Sequence, residues 1–412
     1  MKKRARIVAL VLAALMLLSA TGLAGCGGGV EDENVLVIGF LEDLTGPAGF
    51  AVRQSYEGAQ DYFRMVDDED LIPGLKIKLI QYDTRLDYSR TLPGYVWLDG
   101  QGMDMLWMLT GTFVALVRDR VEQDGMPVVA SQAEPTTLGS DWIFHMFPGQ
   151  KSEAEAVSDV ILDRWDSDEE DRAPLIGVIS QAGYTGGQFT EQTLMDLRDE
   201  DPEAFDLKSV FSPAGASSFA GEMADLRDCD YIVLGALYGP PLANFLKEAR
   251  DREWQGTFIA SMNNWQGFAD LIASVMTPEE LDGSIAVSTY AIWTDDIPWI
   301  SDARVLLEKY RPDRVDFNLE RTGWLSGLSY AMVMTEAIKA AVAGVGVDNL
   351  DGPALQQSLA DINVEVEGWG TGPWTFTEDL SILQKSFQTY EYSSSDEEFS
   401  PVGGWYDLAS LS

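Results

Sequence analysis

The sequence predicts an α/β protein of two lobes, each a doubly wound parallel sheet, with a ligand cleft between them. Short apolar runs alternate with segments of helical periodicity, and this alternation starts again at Pro174. Repeated βα units of this kind form parallel sheets covered by helices on both faces. The chain has 412 residues, which is enough for two domains at about 100–200 residues each.

The first series of elements runs up to residue 165. Its apolar runs predict strands over residues 35–41, 105–109 and 128–130, and the alternation of Lys76 and Lys78 predicts a half-buried strand over residues 75–80. Its periodic segments predict helices over residues 55–68, 114–124 and 152–165. Gly125 is expected to end the second of these helices, and Pro127 to open the strand that follows it.

The second series follows Pro174. Its apolar runs predict strands over residues 175–180, 230–237 and 257–262. Its periodic segments predict helices over residues 188–199 and 241–252. In such sheets, ligands bind in crevices beyond the carboxyl ends of the strands. The loops of interest therefore follow Leu41, Leu109, Ala130, Ser180, Leu237 and Met262.

Residues 1–25 have the pattern of a signal peptide. Four basic residues precede an apolar run over 7–20, which is shorter than the roughly 20 residues that span a bilayer. The next stretch, Leu23-Ala24-Gly25-Cys26, resembles a bacterial lipobox, so Cys26 is a predicted lipidation site. Residues 26–34 would form a flexible tether that holds the protein at the outer face of the cytoplasmic membrane. The alternative is a plain secreted protein with a chance cysteine.

The chain is strongly acidic. Its formal net charge is −39, which becomes −43 without the four basic residues of the leader. This charge disfavours nucleic acid and anionic lipid as partners, and it suits either a well-solvated surface or adaptation to salt. The acidic cluster at residues 166–171 is expected to be a solvated loop. A calcium site is the alternative, although the spacing and the glycine of an EF-type loop are missing.

Few residues are available for catalysis or for a metal. His145 is the one histidine and lies in an apolar, strand-like stretch, where a structural role is expected. Cys229 is the one cysteine after Cys26 and is expected to be buried and inert. One histidine and one free cysteine cannot form a His/Cys metal cluster, and the sequence contains no nucleophile elbow, zincin motif or Walker loop. We therefore predict no enzymatic activity, no metal and no cofactor.

Four stretches of the chain carry a family resemblance between about residues 35 and 392. They are Ile38-Gly39-Phe40-Leu41 with Thr45-Gly46-Pro47 and Glu57-Gly58-Ala59, then Tyr82-Asp83-Thr84, then residues 127–138 with Ile143-Phe144, and finally the turn over residues 368–376. Together they resemble type I periplasmic binding proteins, and among these the branched-chain amino acid and amide receptors of ABC transporters. The resemblance implies two lobes joined by a three-strand hinge. The first would hold residues 35–147 and 284–370, the second 148–283 and 371–412.

The resemblance also implies candidate ligand-binding residues in the first lobe. Gly111 and Thr112 match the loop that binds the ligand's carboxylate through backbone N–H and hydroxyl groups. Ala133 and Glu134 match the loop that faces the ligand's amino group. Glu134 stands where the family usually has Ser or Thr, so it could pair with a cationic group or face solvent. Phe50, after the Thr45-Gly46-Pro47 turn, is a further candidate.

In the second lobe, Tyr184 and Tyr238 match the two tyrosines of the family's site, Tyr238 lying twelve residues before Arg250. Met262 and Asn263 match the place where amino acid receptors carry an acid for the α-ammonium group, and no acid is present there. Because a buried, unpaired ammonium is unfavourable, either Glu134 takes over this role or the ligand lacks an α-ammonium.

These observations predict a lipid-anchored receptor that delivers an amino acid, an amide or a small carboxylate to an ABC transporter permease. The alternative, from a different class, is a sensor or scaffold lipoprotein of the same fold that acts on a membrane kinase or a cell-wall enzyme. Its gene neighbourhood would separate the two, since permease and ATPase genes favour transport.

Overall fold

The computed structural model describes residues 34–165, 172–213, 215–376 and 381–407. The predicted leader, Cys26 and the acidic cluster at residues 166–171 lie outside these described residues. The described part contains two sheets of five and seven strands.

The first sheet has the order β2-β1-β3-β4-β5 and is parallel between β1 and β5. Its strands are β1 (Asn34–Glu42), β2 (Leu75–Asp83), β3 (Met105–Met108), β4 (Val128–Gln132) and β5 (Ile143–Phe147). In the parallel register, Ile38 pairs with Met105 and Phe40 with Trp107.

The second sheet has the order β12-β11-β10-β9-β8-β6-β7. Its strands are β6 (Leu175–Gln181), β7 (Asp206–Ser212), β8 (Tyr231–Leu234), β9 (Thr257–Ser261), β10 (Ile285–Ser288), β11 (Ser386–Ser393) and β12 (Glu398–Asp407). The strands from β10 to β7 are parallel, whereas β11 and β12 are antiparallel additions at one edge.

The helices flank the two sheets. In the first series they are α1 (Gly49–Asp68), α2 (Thr91–Asp99), α3 (Gly111–Asp124) and α4 (Gln150–Arg164). In the second series they are α5 (Thr185–Glu200), α6 (Ala220–Leu226), α7 (Pro240–Asp251), α8 (Met262–Gln266), α9 (Ala269–Ala273) and α10 (Pro278–Leu281). The last four are α11 (Pro298–Tyr310), α12 (Val315–Leu319), α13 (Gly323–Val345) and α14 (Gly352–Ala360). Short 3₁₀ turns cover Tyr88–Arg90, Pro312–Arg314 and Val347–Asn349.

The central strands of both sheets are buried on both faces, which explains why strands such as β3, β5 and β10 are continuous apolar runs rather than alternating ones. In β3, Met105 and Trp107 belong to one core, while Leu106 and Met108 belong to the core on the opposite face. Strands of the second sheet divide in the same way between two cores. The predicted fold class, two doubly wound lobes, is therefore confirmed.

Within the described residues, three crossovers connect the lobes. Pro148 and Gly149 join β5 to α4, and residues 289–297 join β10 to α11. In the third crossover, Leu383 and Gln384 donate backbone hydrogen bonds to the carbonyls of His145 and Met146 before β11 begins. His145 is fully buried there, and burial lowers its pKa to about 4, which fits its predicted structural role.

The predicted strands and helices are confirmed, and several of their ends are corrected. Helix α1 begins at Gly49 rather than at residue 55, because Asp43 orders the turn before it. Strand β8 ends at Leu234 rather than at residue 237. The Asn264 side-chain amide donates hydrogen bonds to the backbone carbonyls of Leu234, Gly235 and Leu237, so these carbonyls are engaged outside the sheet.

Two other expectations need correction. The predicted segment 284–370 of the first lobe begins too early, since β10 pairs with β9 in the second sheet. The antiparallel hairpin of β11 and β12 has no counterpart in the prediction of purely parallel sheets.

Helix α13 is, among the described residues, the one helix long and apolar enough by length and composition to cross a membrane. However, 61% of its apolar window is buried within the protein, where it crosses α1 closely. Cys229 is also buried, as predicted, and burial raises the pKa of its thiol to about 11.

Candidate functional site

The end of β1 carries a buried acid that organises the loop before α3. One carboxylate oxygen of Glu42 accepts hydrogen bonds from the backbone N–H groups of Leu109 and Thr110, both at 2.6 Å. Its other oxygen accepts a bond from the Thr110 hydroxyl at 2.9 Å. Burial raises the pKa of Glu42 to about 7, although these bonds oppose the shift. They hold the loop that presents Gly111 and Thr112.

Two further acids order the Thr45-Gly46-Pro47 turn. The Asp43 carboxylate accepts hydrogen bonds from the backbone of Gly46 at 2.5 Å and of Ala48 at 2.8 Å. Asp83, at the end of β2, accepts bonds from the Thr45 hydroxyl at 2.5 Å and from the Leu44 backbone at 2.9 Å. These hydrogen bonds lower the pKa of Asp83 even though partial burial raises it.

Glu134 lies against Gly111 at the start of α3. Its carboxyl atoms are 2.5–2.6 Å from the position that a Cβ on Gly111 would take. A larger residue at position 111 would require the Glu134 side chain to move. Glu134 thus lies at the N-terminus of α3, a helix of 14 residues. The N-terminus of a helix favours a nearby negative charge. Glu134 is buried, so of the two predicted possibilities, pairing or facing solvent, the structure shows a carboxylate that points into the protein.

The two predicted tyrosines come together in the second lobe. Tyr184 precedes α5 and Tyr238 lies between β8 and α7, and their rings meet edge to face with centroids 5.8 Å apart. Burial raises the pKa of Tyr238, and so do the nearby Glu153 carboxylate, the Tyr184 phenol and the Glu134 carboxylate. Tyr238 is therefore close to carboxylates of both lobes.

Glu153 is the functional candidate that sequence reasoning missed. It lies in the first turn of α4, in the second lobe, where an acid has an ordinary explanation as a helix-end charge. Its carboxylate accepts a hydrogen bond at 3.1 Å from Gln132 of the first lobe. Gln132 in turn accepts one at 2.5 Å from Gln150. Burial raises the pKa of Glu153 to about 7. Its hydrogen bond with Gln132 of the other lobe distinguishes Glu153 from an acid at a solvent-exposed helix end, and the sequence of α4 alone does not reveal that contact.

Three other predicted residues lie in different surroundings. The Ala133 carbonyl oxygen faces Gly149 of the first crossover at close range. Met262 is fully buried in the hydrophobic core. Asn263 is exposed, and its side-chain oxygen accepts a hydrogen bond at 2.5 Å from the hydroxyl of Tyr290, in the second crossover.

Phe50 marks a separate contact region on α1. Its side chain is 38% exposed and meets the ring of Phe317 edge to face. Beside both rings lies the guanidinium group of Arg321, 4.0 Å from the Phe317 centroid and 5.9 Å from that of Phe50. Arg321 forms an ion pair with Asp270 of α9, so this region links the first lobe to the second.

The described residues contain no group of three or more His, Cys, Asp or Glu that could hold a metal ion. The site therefore offers hydroxyl groups, amides, aromatic rings and carboxylates, contributed by both lobes. Such groups can orient and enclose a polar solute.

Comparison with known families agrees with this geometry. The family model described as periplasmic binding protein matches residues 35–396, which is most of the chain. The chain belongs to the periplasmic binding protein family.

Solved structures of periplasmic binding proteins share the fold at low sequence identity. A branched-chain amino acid ABC transporter protein from Thermus thermophilus with bound valine has 15% identity and a TM-score of 0.76, with 92% of this chain and 97% of that one covered. A fatty acid ABC transporter substrate-binding protein from Thermomonospora curvata has 17% identity and a TM-score of 0.74, with 91% and 93% covered.

A third structure is a solute-binding protein from R. palustris in complex with 4-hydroxybenzoate, which has 14% identity, a TM-score of 0.72 and coverage of 91% and 97%. Among curated protein sequences the chain has no match.

The resemblance proposed from sequence is confirmed at the level of the family and the fold. Relatives of this fold are binding proteins rather than enzymes, and they lie outside the cytoplasm.

Proposed function

We propose that this periplasmic binding protein captures a small polar solute between its lobes and delivers it to an ABC transporter permease. The observation that carries the proposal is the convergence of groups from both lobes at one place. Gln132 and Glu134 come from the first lobe, and Glu153, Tyr184 and Tyr238 come from the second. A ligand held by both sets of groups favours the closed arrangement over the open one.

The predicted pair Thr112 and Tyr238 allows a direct test. A thermal-shift screen of the protein from Gly27 onward would use amino acids, amides, ureas, amines and aromatic acids. A ligand at 100-fold over its dissociation constant stabilises the folded state by about 2.7 kcal/mol. We expect a ligand whose effect is lost in Tyr238→Ala and in Thr112→Ala. If no compound in the library raises the melting temperature, the proposal is contradicted.

A matched control separates loss of a contact from loss of folding. Tyr310→Ala removes a tyrosine that is distant from Tyr238 in the sequence. The Tyr310 hydroxyl donates a hydrogen bond at 2.9 Å to Asp68 of the first lobe. This variant should keep the ligand-dependent shift. If Tyr310→Ala and Tyr238→Ala lose the shift equally, Tyr238 has no specific role in binding.

We further propose that Cys26 anchors the protein by a lipid to the outer face of the cytoplasmic membrane. The support is the match of Leu23-Ala24-Gly25-Cys26 to a lipobox after an apolar run. In membrane fractionation of cells, the natural chain should sediment with membranes and Cys26→Ser should not. Equal sedimentation of both chains would contradict the anchor and leave solute binding untouched.

A further inference from the structure

We propose that the second lobe contains an anion-binding subsite at the N-terminus of α5, and that the carboxylate of the solute binds there. The subsite consists of the Ser180 hydroxyl group and the backbone N–H groups of residues 185–187, in the first turn of α5. The inference rests on the proposed function, since it takes the solute to bind between the lobes. It reverses the orientation that the family resemblance implies, in which the ligand's carboxylate binds to the first lobe.

The first step concerns the place in the first lobe where the resemblance puts the ligand's carboxylate, at Gly111 and Thr112. In the structure the Glu134 carboxyl group lies against Gly111, so the space beside this glycine is filled. A ligand carboxylate enters this space only if the Glu134 side chain moves away. In the arrangement that the structure shows, the solute's carboxylate therefore does not fit at Gly111.

The second step concerns the start of α5, which follows the carboxyl end of β6. This helix has 16 residues, and the N–H groups of the first turn of a helix have no acceptor within the helix. Its N-cap residue is Tyr184, whose side chain makes no capping hydrogen bond within the described residues. The first turn contains no acid, and Gly186 and Gly187 carry no side chains that could cover their own amides. The start of α5 therefore offers N–H groups and partial positive charge to an anion.

The third step concerns Ser180 of β6, which points to a ligand independently of the helix. Its side chain is fully buried, and within the described part of the chain its hydroxyl group has no hydrogen-bond partner. The hydroxyl oxygen lies 2.8 Å from the position that a Cβ on Gly187 would take, so it points at the first turn of α5. A buried hydroxyl group without a partner is unfavourable. An anion at the start of α5 would give this hydroxyl group an acceptor.

The fourth step concerns the distance between this subsite and the first lobe. The side chain of Gln150, from α4, lies 3.2 Å from the position that a Cβ on Gly186 would take. Gln150 also donates a hydrogen bond at 2.5 Å to the Gln132 side chain of the first lobe. The start of α5 is thus separated from the first lobe by one neutral, flexible side chain, which an incoming carboxylate can displace. The rings of Tyr184 and Tyr238 meet next to it.

The first experiment compares solutes that differ only in the carboxylate. Isothermal titration of the purified protein from Gly27 onward would use benzoate, phenylacetate, isovalerate and leucine, each against its primary amide. In the pair that binds most tightly, the carboxylate should bind about tenfold more tightly than the amide, because hydrogen bonds to a charged acceptor are stronger. Equal binding, or tighter binding of the amide, overturns the subsite and leaves the solute-binding function standing. If neither these solutes nor the broader library bind, the proposed function fails together with the subsite.

Two serine variants then locate the carboxylate. Ser180→Ala should weaken binding of the best carboxylate about tenfold and that of its amide less, because the lost hydrogen bond has a charged acceptor. Ser212→Ala is the matched control, since Ser212 is also fully buried and its hydroxyl group has no partner within the described residues. Ser212 pairs with Gln181, the neighbour of Ser180, so it faces the other side of the sheet. Equal losses in the two variants would overturn the subsite.

A proline variant tests the helix end itself. Thr185→Pro removes one N–H group at the helix position where proline is best tolerated. Tyr184 before it has φ −92° and ψ 122°, a conformation that suits a residue preceding proline. Thr185→Ala retains the N–H group and is the control. Only the proline variant should narrow the preference for carboxylate over amide, and identical behaviour of the two would remove the helix end from the subsite.

Thr112→Ala separates this subsite from the one that the resemblance implies. If the carboxylate binds to the second lobe, this variant weakens a carboxylate and its amide equally. If Thr112→Ala narrows the preference and Ser180→Ala does not, the carboxylate binds to the first lobe and the proposal is wrong.

The ligand-free Ser180→Ala variant provides the last check. It should melt at the same temperature as the natural protein or higher, because it loses a buried hydroxyl group that has no partner. A lower melting temperature would show that this hydroxyl group is already engaged within the protein, and would contradict its assignment to a ligand.

Discussion

Glu42 and Glu153 are both acids whose burial raises the pKa to about 7, but their surroundings differ. Glu42 accepts several hydrogen bonds from the loop before α3, so its carboxylate is a fixed part of the first lobe. Glu153 has one side-chain donor, Gln132, which belongs to the opposite lobe. Its ionisation is therefore coupled to the closeness of the lobes, whereas that of Glu42 is coupled to folding of one lobe alone.

The raised pKa of Glu153 predicts a pH dependence of stability. Below its ordinary value of 4.5 this carboxyl is protonated in both folded and unfolded chains. Between 4.5 and about 7 the unfolded chain releases the proton while the folded chain retains it. Its contribution to the free energy of unfolding therefore falls as pH rises through this window and is constant above it.

The substitution Glu153→Gln removes this titration and retains the shape of the side chain. The melting temperature of the variant minus that of the natural protein should be larger at pH 8 than at pH 5. Calorimetric melting curves at the two pH values measure this. An equal difference at both would show that Glu153 titrates as an exposed acid does.

At the scale of elements, the crossing of α1 and α13 holds the first lobe together. At Gly58 a Cβ would collide with the Trp324 carbonyl, and at Gly327 one would collide with the Ser55 carbonyl. The two backbones approach at these glycines because neither has a side chain. Close packing of this kind explains why α13, although apolar over most of its length, is a core helix.

This crossing predicts different effects of the same substitution at two sites of α13. Gly327→Ala should lower the free energy of unfolding by about 1–3 kcal/mol, because the backbone of α1 has to move. Gly344→Ala should leave stability unchanged or raise it by up to about 1 kcal/mol, since alanine is the better helix former and nothing lies within 4 Å of that position. Chemical denaturation of both variants provides the comparison, and equal effects would disprove the close crossing.

At the scale of the whole molecule, the lobes are linked by charge as well as by covalent crossovers. The Arg321 side chain is 2% exposed and pairs with two acids. Glu320 is its neighbour in the first lobe, whereas Asp270 is on α9 of the second lobe and is 60% exposed. Only the pair with Asp270 depends on the relative position of the lobes.

This difference predicts the effect of two matched substitutions. Asp270→Asn should shift the lobes toward an open arrangement, which would appear as a larger radius of gyration in X-ray scattering and a lower ligand affinity. Glu320→Gln removes a carboxylate from the same arginine and should change neither quantity. If both variants behave alike, the ion pair between the lobes has no part in closure.

The sequence by itself determined the fold class and most of the elements. Apolar runs and helical spacing are local properties, and each reports which face of its own element is buried. They located β1, β3 and β6 to within about two residues. The family resemblance then pointed to Gly111, Glu134, Tyr184 and Tyr238, which lie in loops after strands or at the start of the helix that follows.

Only the tertiary structure decided which side chains meet between the lobes. It placed β10 in the second sheet, put the carboxyl group of Glu134 on Gly111, buried Met262 and brought Glu153 to Gln132. These contacts join elements that are separated along the chain or lie on different lobes. A helix-end acid such as Glu153 has the same local pattern whether it faces solvent or a binding cleft, because burial there depends on packing between lobes rather than on periodicity within one helix.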